Sequence, residues 1–346
     1  MKKLLLATIF VIASIFIAYL SLEDTDIVQE FLNPKAKYAL WAFLIGAIVT
    51  ISLPLGAIAG LVFKPNAKIT AIFTAFGAGA LLAALSVELI APTVEEIIGY
   101  SNGVPVASAM SMEHDQMHAI KTMASLIIGC IAGGFLFYTL DELINSKGGF
   151  LRKVGSTISH IIINKKEIGV IDEKQIDLAQ KQGAQTHGGA PMAIWLGLLI
   201  DGIPESFVIG AGFLALLAAK LVSGTDPSFT EVLPYTLIAG LFLSNFPEAL
   251  SASMGMKKSG MSTAKILFMW MSLVLIVAIG ALIGYYIGSS IPHVIEIGIE
   301  GLAAGAMLTM IAQTMIPEAI HLGGSRVVGL STLIGYLSAI AFKLLE

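Results

Sequence analysis

The stretch PMAIWLGLLIDGIPESFVIGAGFLALLA, residues 191–218, is long and apolar enough to cross a bilayer, yet carries Asp201 and Glu205 near its middle and no other charge. A run of this kind reads as a transmembrane helix, since about 20 apolar residues cover the ~30 Å hydrocarbon layer. The rest of the chain has the same character. Its 346 residues are 56% hydrophobic and 13% charged, with a mean hydropathy of +0.86, whereas soluble domains carry roughly 25% charge. The composition therefore predicts an all-α, multi-pass membrane protein in contact with lipid. A disulfide scaffold is excluded because Cys130 is the only cysteine. The net charge of −4 speaks against a nucleic-acid partner.

Working outward from that stretch, hydropathy places seven further spans near 38–62, 69–91, 120–140, 233–254, 265–288, 298–316 and 325–344, eight core spans in all. An N-terminal hydrophobic segment near 4–20 precedes them. It follows Lys2 and Lys3 and is not followed by a good A-x-A cleavage site, so it reads as a retained anchor in preference to a signal. Residues 1–37 thus form this segment and an outer linker, and 38–346 the main domain. With Lys2 and Lys3 in the cytoplasm, alternation puts 15 Lys and Arg inside and 5 outside, the bias expected of cytoplasmic connections. The C-terminus is then extracytoplasmic, and the connection 147–190 is a mobile cytoplasmic loop holding His160 and His187. The cell membrane is the expected location, the inner one in a Gram-negative bacterium.

Two internal similarities organise the spans. Residues 76–92, FGAGALLAALSVELIAP, match 302–318, LAAGAMLTMIAQTMIPE, at five positions, and these second and seventh core spans run in opposite directions. Residues 201–206, DGIPES, match 244–249, SNFPEA, in the fourth and fifth spans, also antiparallel. Together they predict a 3+2+3 inverted-repeat plan, an architecture that places a substrate site near the midplane at the repeat interface.

The polar residues at that depth carry the chemistry. A carboxylate at the bilayer centre costs ~2.5–3.5 kcal/mol even on the lenient scale, and no Lys or Arg lies in the middle of a core span. Protons or a cation must compensate Asp201, Glu205 and Glu248. Asp201 and Glu205 are i, i+4, as are Ser244 and Glu248, and Asn245 and Glu248 are i, i+3, so each helix presents its oxygens on one face. Pro204 and Pro247 remove hydrogen bonds to the carbonyls of Ile200 and Leu243 and are read as helix breaks. Such an oxygen-rich set from two facing helices suits a divalent metal.

With these motifs in hand, IDGIPES and LSNFPEA, together with GAGALL and AAGAML…IPEA, the chain resembles the ZIP family of divalent metal transporters over roughly residues 38–344. The resemblance implies a metal site of Asp201, Glu205, Ser244, Asn245 and Glu248. It also implies spans one, four, five and six moving against two, three, seven and eight, and a homodimer. Asp201 stands where the family usually has His, Gly202 where it often has Asn, and the sixth span lacks an acid, so one metal site is expected. Without His, the all-oxygen set moves preference from Zn²⁺ towards Mn²⁺ or Fe²⁺, with Zn²⁺ still a candidate substrate and Cd²⁺ a further one.

Other polar residues are weaker candidates. Glu88, Gln313 and Glu318 could be relay points on the path, or helix-end caps. In the outer connection 93–119, Glu113, His114 and His118 could capture an incoming cation, or be a solvated surface; His293 and His321 read as surface residues. No GxxxxGK[ST] motif is present, so gradient-driven alternating access is expected, with no resident cofactor and no enzymatic activity. Two alternatives stay open: a proton-coupled carrier of an organic solute, and an intramembrane carboxylate hydrolase, though neither HExxH nor GxGD is found.

Overall fold

The computed structural model describes residues 34–102, 112–146, 190–222, 227–258, 260–288 and 290–345. The N-terminal hydrophobic segment and the 147–190 loop, with His160 and His187, lie almost wholly outside these residues. By its contacts the chain forms two units, 1–41 and 42–346. Of the first, only the opening of helix α1 (Pro34–Thr50) is described. There the Lys37 ammonium lies 4.8 Å from the Trp41 ring centroid, and Tyr38 meets Trp41 edge-on.

The second unit is helical throughout its described residues, with no strand among them. After α1 come α2 (Ser52–Phe63) and α3 (Ala67–Ala84). A π segment, Leu85–Ile90, leads into α4 (Ala91–Asn102). Then follow α5 (Met112–Ser146), α6 (Ala190–Val222), α7 (Tyr235–Lys258) and α8 (Thr263–Gly288). Helix α9 (His293–Met310) passes through a second π segment, Ile311–Met315, into α10 (Ile316–Gly323), and α11 (Ser325–Ala341) ends the fold.

Tight turns separate several of these helices. Lys64 closes α2 at φ 47°, in the left-handed region, and Asn66 then caps α3 by accepting the Ile69 N–H at 2.9 Å. Between α6 and α7, the Ser228 N–H and hydroxyl both bond Glu231, which holds that carboxyl below its usual range.

Seven helical stretches, 21 to 32 residues long, are apolar enough to cross a membrane, and they coincide with seven of the eight predicted core spans. The exception is the predicted fifth span. Its helix, α7, has 24 residues, ample for a crossing. Ser244, Asn245, Glu248 and Ser251 dilute its apolar character, so length and apolarity alone do not single it out. It is enclosed instead by α2 and α3, which pack along it.

The buried apolar clusters fall into two groups, bridged where α3 packs along α7 and Leu243 of α7 meets the second group. One buried cluster joins Leu53 and Ala57 of α2, Leu198 of α6, Ala249 and Ala252 of α7 and Trp270 of α8. Trp270 also donates its indole N–H to Ser253 of α7 at 2.7 Å. Other clusters join α3 to α11 through Ala80, Ala83 and Ala339, and α3, α10 and α11 through Ala75, Ala319 and Val328. Helix α5 lies along α9.

Helices in lipid gain little from hydrophobicity and depend on close van der Waals approach, which small residues permit. A Cβ added to Gly79 would strike the Thr332 carbonyl, and one on Gly335 would strike that of Phe76. On the other pair, a Cβ on Gly305 would strike the Cys130 carbonyl, and one on Gly133 that of Leu302. By contrast, Gly329 has nothing within 4 Å of such an atom.

Gly133→Val should therefore lower thermal stability in detergent by roughly 1–3 kcal/mol or more, the range for forced overpacking. Gly329→Ala should be neutral or stabilising by about 0.5–1 kcal/mol. Equal melting temperatures for the two variants would contradict this account.

Candidate functional site

The fourth- and fifth-span motifs meet. Asn245 of α7 donates its amide N–H to Glu205 Oε2 of α6 at 3.3 Å, in a buried contact. Glu205 is 3% exposed and Asp201 7% exposed, and Ser244 and Asn245 are buried with them. Glu248 is half-buried with Oε1 enclosed, and the carboxylates of Glu248 and Asp201 both act electrostatically on Glu205. The acids thus turn towards the protein interior, away from lipid, as the helical spacing requires of two polar faces packed together.

Pro204 and Pro247 do not break their helices. Both α6 and α7 run through their prolines, because neighbouring helices enclose the backbone groups that proline frees. One such group, the Leu243 carbonyl, faces Gly77 of α3, where an added Cβ would come within 2.6 Å of it. It is covered by a helix that sequence reading had not placed there.

The seventh span adds a residue absent from the expected set. Ser244 Oγ donates to Met315 Sδ at 3.8 Å, and Met315 is buried. Nothing in the local sequence distinguishes this methionine from packing, so it was not legible as part of the site. Among the described residues, no group of three or more His, Cys, Asp or Glu stands close enough to hold a metal ion. The arrangement is a buried cluster of oxygens, not a closed coordination shell.

The weaker candidates are brought elsewhere. Glu88, in the first π segment, pairs with Lys343 at 3.0 Å. Gln313, in the second, donates to Asp141 of α5 at 3.3 Å. Asp141 had been passed over because it lies just past the apolar run of its span. Glu318 is buried in α10.

The stretch 93–119, predicted as an outer connection, is largely helical, since α4 continues to Asn102 and α5 begins at Met112. Glu113, His114 and His118 accordingly lie on the first turns of α5, a helix, and His118 is half-buried. His293 is exposed, as predicted, and it is also paired. Its Nε2 lies 2.8 Å from Glu96 Oε1 of α4 and its Nδ1 lies 3.2 Å from Glu296 Oε2, so it ties α4 to α9. His321 lies within α10 and is partly buried.

Comparison with known proteins finds no family model and no curated protein that matches this chain.

Proposed function

We propose that this protein is a gradient-driven uptake transporter for a divalent transition metal, with Mn²⁺, Fe²⁺, Zn²⁺ or Cd²⁺ as substrate and no resident cofactor. The observation that carries the reading is the Asn245–Glu205 contact, which joins the two proline-containing helices through their polar faces. Acids buried without a lysine or arginine among the residues of the motifs call for a cation. Asp201, Glu205, Ser244, Asn245 and Glu248 supply oxygens on both sides of one helix interface. Binding would draw these side chains together and replace part of the ion's water.

The finer architecture belongs to the same proposal: eight core spans, with α7 as the fifth, in a 3+2+3 inverted repeat. Several registers support it. Phe76 and Gly79 lie 226 residues before Leu302 and Gly305, while Cys130 and Gly133 lie 202 before Thr332 and Gly335. The two sets of glycine contacts therefore exchange partners as a pseudo-two-fold axis demands. The π segments begin at Leu85 and Ile311, again 226 apart. Asp141 and Lys343 are 202 apart, and their partners Gln313 and Glu88 are 225 apart.

Alternating access then has its units. Spans one, four, five and six share the Trp270 core, while two, seven and eight share the alanine-rich clusters and three packs on seven. Movement of the first group against the second would expose the interface of α6 and α7 to each side in turn. The cell membrane, an extracytoplasmic C-terminus, a cytoplasmic 147–190 loop and a homodimer complete the proposal.

One observation favours a second reading. The acids are not drawn into a metal-holding group, and carboxyls that bind protons need no such convergence. A proton-coupled carrier for an organic solute would use the same residues.

Metal binding separates the two. Purified protein should bind Mn²⁺, Zn²⁺ or Cd²⁺ at neutral pH. Glu205→Ala and Glu248→Ala should each lower affinity and proteoliposome uptake by at least about tenfold, the loss expected when a metal site loses a ligand or its support. Native protein that binds no divalent ion would overturn the metal reading in favour of proton coupling. For the topology, a reporter fused after Glu346 should be extracytoplasmic; a cytoplasmic signal would refute the proposed orientation.

A further inference from the structure

We propose that Met315 is a specificity-determining residue of the metal site and that its thioether makes Zn²⁺ and Cd²⁺ preferred substrates over Mn²⁺; the inference rests on the transporter reading above. Its basis is the direction of one hydroxyl. Serines and threonines in membrane helices usually donate to a carbonyl three or four residues back. Several here do so: Thr50 to Gly46, Ser86 to Leu82, Ser206 to Ile203, Thr309 to Gly305 and Thr314 to Met310, at 2.6 to 2.8 Å, whereas Ser125 crosses to the Val294 carbonyl at 2.6 Å. Ser244 instead reaches out of α7 to the Met315 sulfur at 3.8 Å.

That contact brings a thioether to a polar face in a fully enclosed place, Ser244 being 0% and Met315 3% exposed. Ser244 stands one helical turn from Glu248, on the same side of α7. A cation drawn to Glu248 and Glu205 therefore meets the Ser244 oxygen and the Met315 sulfur on one side of its shell. Sulfur binds thinly hydrated, softer ions better than hard ones, so it favours Zn²⁺ and Cd²⁺ over Mn²⁺. It reverses the hard preference that the oxygens alone would give. Met315 also comes from the seventh span, whereas the other members come from the fourth and fifth, so this ligand joins the two groups of helices.

The test uses the full-length protein in detergent, loaded with Cd²⁺ and studied by X-ray absorption at the cadmium edge, alongside Cd²⁺ and Mn²⁺ binding. We expect a sulfur neighbour in the cadmium shell of native protein and its disappearance in Met315→Leu. The same variant should lower the ratio of Cd²⁺ to Mn²⁺ affinity by at least about tenfold, the scale of one lost ligand contact. A native cadmium shell of oxygen and nitrogen alone, with Cd²⁺ binding still abolished by Glu205→Ala, would overturn the sulfur assignment while leaving the transporter reading intact. A sulfur shell that persists in Met315→Leu would likewise overturn it. Native protein that binds neither ion would overturn both. Should Met315→Leu not fold, Met315→Gln serves as the second variant, with loss of the sulfur neighbour expected and its persistence overturning the assignment.

Discussion

Negative charge held away from water, on stretches of helix that carry no lysine or arginine near it in sequence, is the constraint around which the other features arrange themselves. Asp201, Glu205 and Glu248 sit on mainly apolar helices, and each would cost ~2.5–3.5 kcal/mol if left facing lipid at the bilayer centre. The Asn245 amide meets Glu205 across the interface of α6 and α7, so the two motifs protect each other from hydrocarbon. This requirement fixes the position of α7. A helix carrying Ser244, Asn245, Glu248 and Ser251 on a short apolar background cannot be peripheral, and α2 and α3 enclose it.

Enclosing a polar helix by apolar ones raises the question of what holds them there. Lipid solvates leucine as well as protein does, so the helices must gain from close contact. Backbone carbonyls lie directly against Gly79, Gly133, Gly305 and Gly335, where any side chain would collide. These contacts rigidify α3 with α11 and α5 with α9 as pairs, while Trp270 and its neighbours bind α2, α6, α7 and α8 together. The polar site lies along a helix of the second set. Met315, which touches Ser244, belongs to the first.

Much of this was written in the sequence, and the remainder was hidden for definable reasons. Apolar runs with few charges located seven spans that match the helices closely. Hydropathy also placed a span over 233–254, whose helix is less apolar than the other seven, and the resemblance of SNFPEA to DGIPES marked its polar face. Pro204 and Pro247, read locally as breaks, are carried by continuous helices because tertiary contacts override a local preference. The extent of α4 and α5 was underestimated for a related cause: the helices continue beyond the apolar run, and hydropathy reports the lipid boundary instead of the end of the helix. Partners such as Lys343 for Glu88, Asp141 for Gln313 and Glu96 for His293 are separated by 172 to 255 residues. No local pattern encodes them.

The π segments show why periodicity could not have supplied those partners. Each residue of an α-helix advances the face by about 100°, so one extra residue in a turn rotates everything beyond it by that amount relative to everything before. Leu85–Ile90 and Ile311–Met315 each interrupt a helix between its glycine contacts and its polar end. Before the interruption, Gly79 and Gly305 turn to α11 and α5. Within it, Glu88 and Gln313 reach Lys343 and Asp141, at the far ends of those same two neighbours. A helix of uniform pitch would carry residues spaced nine and eight positions after these glycines at a fixed angle to them, and 3.6-residue periodicity assigns faces on that assumption. The local change of pitch makes such an assignment unreliable beyond the turn. The second π segment ends at Met315, the side chain that meets Ser244 of α7. The change of pitch that defeats sequence periodicity thus lies at the residue that joins this helix to α7, which carries Asn245 and Glu248.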